Sequence, residues 1–300
     1  MFTYYRYIHG SLINSINMKS FIIILSILIG ITHIKAQQIT GKVIDNQTKE
    51  AIEYVSVGVM NTPLGAISDE NGNFELDAKQ INPKSRVRVS MIGYEPQQFT
   101  ISELLVPELT VEMVKTSYDI NAITITPTQE RIIGEKGFTR SKGWSGWGGL
   151  KIRKGYELGL KLDLGDELIK IKSLHVLIHR QAFDSSYFRL HIRSVNDTNV
   201  LDELLTENII FPITEESGWA EINLENYNLI HNGEVGVTLE WIKVSGVNAD
   251  RAMKINNKMW DAYFLFKNIK NQTGLRRWGS EDKWQMKDDY GISMYLTVLE

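Results

Sequence analysis

The stretch Gln38-Ile-Thr-Gly-Lys-Val-Ile-Asp45 decides the fold prediction, because it is the first of several short strand-like segments bounded by turn residues. Three more follow: Ala51-Ile-Glu-Tyr-Val-Ser-Val57, Ser68-Asp-Glu-Asn-Gly-Asn-Phe74 and Ser90-Met-Ile-Gly-Tyr-Glu95. Strands separated by turn signals about every ten residues are typical of an all-β sandwich. We therefore predict a β-sandwich over residues 37–115, with Gly72 in a left-handed turn position.

These segments resemble a known module. The opening Ile-Thr-Gly-Lys-Val, the Ser68-Asp-x-x-Gly-x-Phe74 turn and the Gly93-Tyr94 pair follow the order of the carboxypeptidase regulatory-like domain, a transthyretin-type Greek-key sandwich. The resemblance implies a scaffolding role in the envelope of Gram-negative bacteria, because similar modules precede TonB-dependent outer-membrane receptors. The later residues lack the many barrel-length strands of such receptors, so we do not expect a complete transporter.

The N-terminus has the pattern of a secretory signal. Lys19 precedes the apolar run 21–31, and the small residue Ala36 follows at cleavage distance. We predict a signal peptide over residues 1–36, with Met18 as an alternative start and an uncleaved anchor as the competing interpretation. The expected location is the periplasm or the outer membrane, with no span after cleavage.

Composition excludes several classes of partner and site. The chain has 33 basic and 36 acidic residues, and the leader carries three of the basic ones, so the exported part is acidic. Acidic balance gives no reason to expect nucleic acid or an anionic membrane as partner. The absence of cysteine excludes disulfides, thiolate metal sites and a cysteine nucleophile.

The rest of the chain predicts a second β-sandwich over residues 143–300, joined by a linker at 116–142 that contains a strand-like segment. Its strands alternate apolar and polar residues or run apolar. The order of Phe188-Arg-Leu-His-Ile192, Leu204-Leu-Thr-Glu-Asn-Ile-Ile210 and Val235-Gly-Val-Thr-Leu-Glu-Trp241 resembles jelly-roll-like accessory sandwiches. The predicted fold class is all-β, with two sandwiches.

Aromatic and basic residues near both ends of this second region are the candidate ligand-binding groups. Indoles can stack on sugar rings, and guanidinium forks can bind sugar hydroxyls. The same tryptophans are also ordinary core residues of a sandwich. The candidates are Trp278, Trp284, Arg276, Arg277, Trp144 and Trp147.

No metal or cofactor is predicted, and calcium is the one ion kept open. Asp69, Glu70 and Asn71 offer oxygen ligands on a tight turn but lack the spacing of an EF-hand. The histidines of the exported part, His175, His179, His191 and His231, do not complete a zinc ligand set.

The sequence contains no complete catalytic set. Gly143-Trp-Ser-Gly-Trp147 fails as a nucleophile elbow at its last position. The enzyme alternative is a small secreted hydrolase that uses carboxylates on a shared concave face, with Glu221, Glu225, Glu234 and Glu240 as candidates. We favour a non-catalytic envelope binding or assembly protein whose partner is a glycan or an envelope protein.

Overall fold

The computed structural model describes residues 38–116, 129–148, 154–255, 258–260 and 262–300. The predicted signal peptide lies outside the described residues, as do positions 117–128 of the predicted linker. Within the described part, no helix is long and apolar enough to cross a membrane. Residues Gln38–Glu300 form one compact unit.

The first sandwich has a three-stranded sheet in the order β4-β1-β7 and a four-stranded sheet in the order β3-β2-β5-β6. Strand β1 runs antiparallel to β4 and parallel to β7. Apolar residues such as Val43, Val57, Phe74 and Val89 fill the core between the sheets. The elements are β1 (Gln38–Asp45), β2 (Ser56–Val59), β3 (Gly65–Ile67), β4 (Asn73–Asp77), β5 (Arg86–Ser90), β6 (Gln97–Thr100), helix α1 (Ile101–Leu104) and β7 (Leu109–Met113).

The turn before β4 closes on itself. The Asp69 carboxylate accepts hydrogen bonds from the backbone N–H groups of Asn71 and Asn73 at 2.9 and 2.8 Å. Gly72 has φ of +76°, and a Cβ there would lie 2.4 Å from the Val43 carbonyl oxygen. The left-handed glycine predicted from the sequence is confirmed.

The second sandwich begins at β8 and contains two large sheets. We call the sheet β13-β12-β17-β10-β21-β22, with β14 beside β12, the front sheet. We call β23-β20-β11-β24-β8, with β15 and β16 beside β11 and β9 beside β20, the back sheet. Strands β18 and β19 form a separate hairpin. The strands are β8 (Glu130–Gly134), β9 (Trp144–Gly148), β10 (Glu157–Asp163), β11 (Ile169–Gln181), β12 (Phe183–Val195), β13 (Val200–Glu203), β14 (Ile210–Ile213), β15 (Gly218–Asn223), β16 (Ile230–His231), β17 (Glu234–Val247), β18 (Met253–Ile255), β19 (Lys258–Trp260), β20 (Tyr263–Ile269), β21 (Gly274–Arg277), β22 (Gln285–Lys287), β23 (Gly291–Ile292) and β24 (Met294–Leu299).

The core of the second sandwich lies between the front and back sheets. On β12, Phe188, Leu190 and Ile192 point inward and are fully buried. Because side chains alternate along a strand, Arg189, His191 and Arg193 point to the outer face of the front sheet. The all-β fold class predicted from the sequence is confirmed.

The first sandwich packs against the outer face of the front sheet. Tyr54 and Ile67 form a small buried apolar cluster with Ile242 of β17. Gly58 of β2 allows close approach, because a Cβ there would lie 2.5 Å from Cγ of Glu281 and 2.7 Å from Oγ of Ser280. Outward-facing polar residues of the front sheet are therefore buried beneath another module.

Candidate functional site: a charged cleft at the seam

A cleft of about 570 Å³ lies where the first sandwich meets the front sheet. We call it the seam cleft. The first sandwich contributes Ser56, Arg88 and residues 90–96 to its walls. The second contributes charged side chains of β12, β13, β17 and β21 together with the 280–284 loop, among them Arg189, His191, Arg193, Glu203, Glu240, Arg277, Glu281 and Trp284.

Two fully buried carboxylates lie under the cleft, directly opposite each other on neighbouring strands. Register pairs Glu157 of β10 with Glu240 of β17. Glu240 accepts hydrogen bonds from Arg189 Nη1 at 2.7 Å and from Ser56 Oγ at 3.0 Å. Glu157 accepts from Arg193 Nη1 at 2.7 Å, and Arg277 donates to its other oxygen. Each buried carboxylate is thus paired with guanidinium groups.

These pairs determine the protonation of the carboxylates. Burial opposes ionisation, but Arg193 and Arg277 outweigh it and hold the pKa of Glu157 far below its usual range. At Glu240, burial is likewise outweighed by Arg189 and His191, so its pKa is also lowered. Both groups are therefore anions at neutral pH, and neither has the raised pKa that a general acid requires.

His191 connects the two carboxylates to a third. Its Nδ1 lies 2.6 Å from Glu203 and its Nε2 lies 3.2 Å from Glu240. Burial and Arg193 oppose protonation, yet Glu157 and Glu203 outweigh them and raise the pKa of His191. Arg193 Nη2 is also 2.7 Å from Nδ1, and two donors cannot bond each other. We assign the Nδ1 hydrogen bond to Glu203, because a protonated ring needs acceptors at both nitrogens.

Arg189 links the two sandwiches. Its Nη2 donates to the backbone carbonyl of Tyr54, and its Nη1 is 3.2 Å from Ser56 Oγ. Tyr54 has φ of +57°, an uncommon conformation for a non-glycine residue. The side chain of Arg189 is almost completely buried, so its hydrogen bonds depend on both modules.

An ion pair also crosses the seam at the surface. Glu70 of the first sandwich pairs with Lys243 of β17 and accepts a hydrogen bond from Tyr54 at 2.9 Å. The hydrogen bond from the Lys243 side chain is the main cause of the lowered pKa of Glu70. Glu70 and Asp69, kept open as calcium ligands, therefore already have protein partners in this structure.

The triad Glu157, His191 and Glu240 could also be read as a metal site. One ligand atom of each lies within 4.8 Å of the others. Guanidinium donors already occupy the carboxylates, and a divalent cation here would stand beside three arginines. Because those like charges repel it, the donor set fits an ion-pair network better than a metal centre.

Glu281 is a mostly buried acid of the cleft with one loose ion-pair partner. Its side chain is 10% exposed, and its ion-pair contact with Arg88 is loose, at 3.5 Å. Burial raises the pKa of Glu281. This carboxylate has acceptor capacity left for a ligand.

The structure brings two of the six predicted ligand residues into the cleft. The guanidinium carbons of Arg277 and Arg193 lie 4.7 and 5.4 Å from the ring centroid of Trp284. Trp278 is half-buried and packs on Tyr156 at 4.6 Å. Arg276 lies over Trp278 and donates to Gln285, so neither Arg276 nor Trp278 lines the cleft.

Trp144 and Trp147 do not line the seam cleft. Trp147 is buried in the core, 4.6 Å from the ring of Trp241, so its predicted use as a sugar platform is wrong. Trp144 is half-buried on the outer side of the back sheet, where it stacks on His179 at 6.5 Å and meets Trp260 edge-on. A shared site of these two indoles with Trp284 does not form.

The four predicted hydrolase carboxylates do not share a face. Glu221 is exposed on β15 of the back sheet, Glu225 is exposed in a short 3-10 helix, and Glu234 pairs with Lys161. Only Glu240 belongs to the buried network. The hypothesis that these four carboxylates share one concave face is therefore wrong, because the residues are divided between opposite sheets.

Sequence reasoning missed Glu157, Arg189 and Arg193. The available signal was the alternation Arg189-Leu-His-Ile-Arg193, which places three cationic or titratable groups on one strand face. Glu157 gave no signal of its own, since an outward acid on an alternating strand is usually solvated.

Comparison with known proteins bears on the first sandwich. Residues 39–125 match the family described as CarboxypepD_reg-like domain, which confirms the resemblance drawn from the sequence. A stretch of 68 residues is 41% identical to the TonB-dependent receptor SusC of Bacteroides thetaiotaomicron. That match covers 22% of this chain and 6% of the receptor.

Proposed function

We propose that this protein is a non-catalytic binding or assembly protein of the cell envelope, and that the seam cleft is its binding site for a glycan or peptide. The envelope assignment draws on the match of residues 39–125 to a CarboxypepD_reg-like domain and on the similarity of 68 residues of the chain to a TonB-dependent receptor. The observation that carries the site assignment is the cleft itself, which joins Trp284 to charged groups of both sandwiches.

The chemistry of the cleft supports recognition of a polar ligand. Trp284 offers an indole, Arg88 offers donors, and Glu281 offers a carboxylate acceptor with little competition. Sugars and peptides both present alternating donors and acceptors beside apolar faces, and such ligands use a few convergent polar groups together with an aromatic surface. The buried network beneath the cleft keeps these groups in place.

A hydrolase remains the second candidate, because Glu157 and Glu240 are paired across adjacent strands. Glycosidases need one protonated and one ionised carboxyl group. Here arginines hold both as anions, which weighs against this candidate. Turnover on a glycoside panel that is lost on Glu157→Gln or Glu240→Gln would favour the hydrolase over the binding protein.

The test is a glycan-array and peptide-panel screen of the protein without its predicted signal peptide. We expect saturable binding without turnover, and Trp284→Ala should weaken it by about tenfold or more, as for an aromatic hot spot. The matched control is Trp219→Ala, which removes an exposed tryptophan from the back sheet. Equal binding by the wild type and Trp284→Ala would reject the cleft as the site.

A further inference from the structure

The first sandwich has an open strand edge that faces a large groove. Strand β4 ends the β4-β1-β7 sheet, and β3 ends the other sheet. A groove of about 1280 Å³ is lined by residues of β3 and β4 and by residues of the adjoining strands β1 and β7. It is separate from the seam cleft, which involves other parts of the first sandwich.

The alternating direction of backbone hydrogen bonds along a strand shows which backbone groups of β4 are free to face this groove. The Val43 N–H donates to the Gly72 carbonyl at 2.8 Å, which places this pair at a hydrogen-bonded position when the β1–β4 register is continued. Phe74 and Leu76 therefore also direct their backbone groups toward β1, and the alternate residues Glu75 and Asp77 direct theirs away. Asn73, which also faces outward, is already bonded to Asp69.

The side chains along the edge restrict what could pair with it. Glu75 and Asp77 are exposed, whereas Phe74 and Leu76 point into the core. The groove is lined by four acids, Asp69, Glu75, Asp77 and Glu108, and by two lysines, Lys42 and Lys154. A second copy of β4 would place like charges opposite each other, which is unfavourable.

We propose that the β4 edge binds an extended peptide segment of a partner protein, with basic residues alternating with apolar ones. Such a peptide adds as a strand, so its backbone bonds the outward N–H and C=O groups of Glu75 and Asp77. Its basic side chains lie opposite these two carboxylates. Its apolar side chains lie on the other face, near Leu64, which is 43% exposed on the groove wall.

The probe is the acetylated and amidated heptapeptide Lys-Val-Lys-Val-Lys-Val-Lys, titrated into the protein without its predicted signal peptide and followed by calorimetry and amide NMR. Glu75→Pro removes the outward N–H but leaves the bonds of Phe74 and Leu76 to β1, because proline is tolerated on edge strands. We expect Glu75→Pro to lose detectable binding while keeping the wild-type melting temperature within a few degrees.

Charge and backbone contributions are separated by two further measurements. Glu75→Gln keeps the backbone and should weaken binding by about two- to fivefold, as expected for one cross-strand ion pair. N-methylation of the peptide residues whose N–H groups point toward β4 should abolish binding. N-methylation of the alternate residues, whose N–H groups point away from β4, should not. This second comparison uses the unaltered protein, so it holds even if Glu75→Pro does not fold. No binding of the unmethylated heptapeptide, or equal loss with both methylation patterns, would overturn the proposal.

Discussion

At the scale of single residues, Arg189 and Glu240 form a deeply buried ion pair beneath the seam, and each also bonds the first sandwich. Both side chains are almost completely buried, and their closest atoms are 2.7 Å apart. Removal of one partner from such a pair leaves an uncompensated buried charge, which costs far more than the loss of a surface ion pair.

We therefore predict that Arg189→Met lowers the free energy of unfolding by about 3–5 kcal/mol. The double variant Arg189→Met with Glu240→Met should be less destabilised than Arg189→Met alone, because the Glu240 carboxylate is no longer buried without its guanidinium partner. Urea denaturation of the single and double variants measures this coupling. Additive losses in the double variant would show that the pair is not the source of the effect.

At the scale of elements, β9 shows how strand alternation assigns different roles to similar residues. Trp147 points into the core among Tyr156, Phe188 and Trp241, and Trp144, three residues earlier, is half-buried on the outside. The glycines around them, with Gly146 at φ of +156°, let the strand pass close to β20.

This arrangement gives a matched pair of substitutions. Trp147→Ala should destabilise the protein by about 3–5 kcal/mol, because it empties a large core position. Trp144→Ala should cost less, about 1 kcal/mol, because this half-buried ring loses mainly its contacts with neighbouring rings. Thermal denaturation of the two variants measures these losses of stability. Similar losses in both variants would contradict the placement of Trp147 in the core.

The sequence predicted the all-β fold class well and the charged site poorly, for different physical reasons. Alternation and turn chemistry act over a few neighbouring residues, so strands and the Gly72 turn could be read directly. Glu157 has the sequence pattern of a solvated outward acid, and the pattern does not show that Arg193 and Arg277, from distant strands, enclose it. Trp147 could not be told from Trp144, since composition does not show which face of a strand meets a core.

At the scale of the whole molecule, the network makes stability depend on pH in a defined direction. The pKa values of Glu157 and Glu240 are lowered from their ordinary value of 4.5, so their contribution is present above about pH 4.5 and is lost as the pH falls through their folded values. The pKa of His191 is raised from 6.5, so its contribution is present below about pH 6.5 and is lost as the pH rises through the folded value.

We predict greatest stability between about pH 4.5 and 6.5 and a decline above that range. His191→Gln should remove much of the alkaline decline. His179→Gln is the control, because the pKa of His179 is lowered by burial and its ring lies on the back sheet. Urea midpoints measured across this range report the result, and an unchanged alkaline slope in His191→Gln would exclude His191 as its origin.

The bond from Arg189 to the Tyr54 carbonyl spans 135 positions of the chain. During synthesis, all seven strands of the first sandwich emerge before the arginine that completes their contact with the rest of the protein. N-terminal modules generally fold first, so the docking face of this one, with Tyr54, Ser56 and Ile67, is uncovered until the second sandwich is made. The same bond restricts which N-terminal domain can precede the second sandwich. A gene fusion that joined the second sandwich to a different N-terminal domain would have to supply a carbonyl in the position of Tyr54, or lose Arg189.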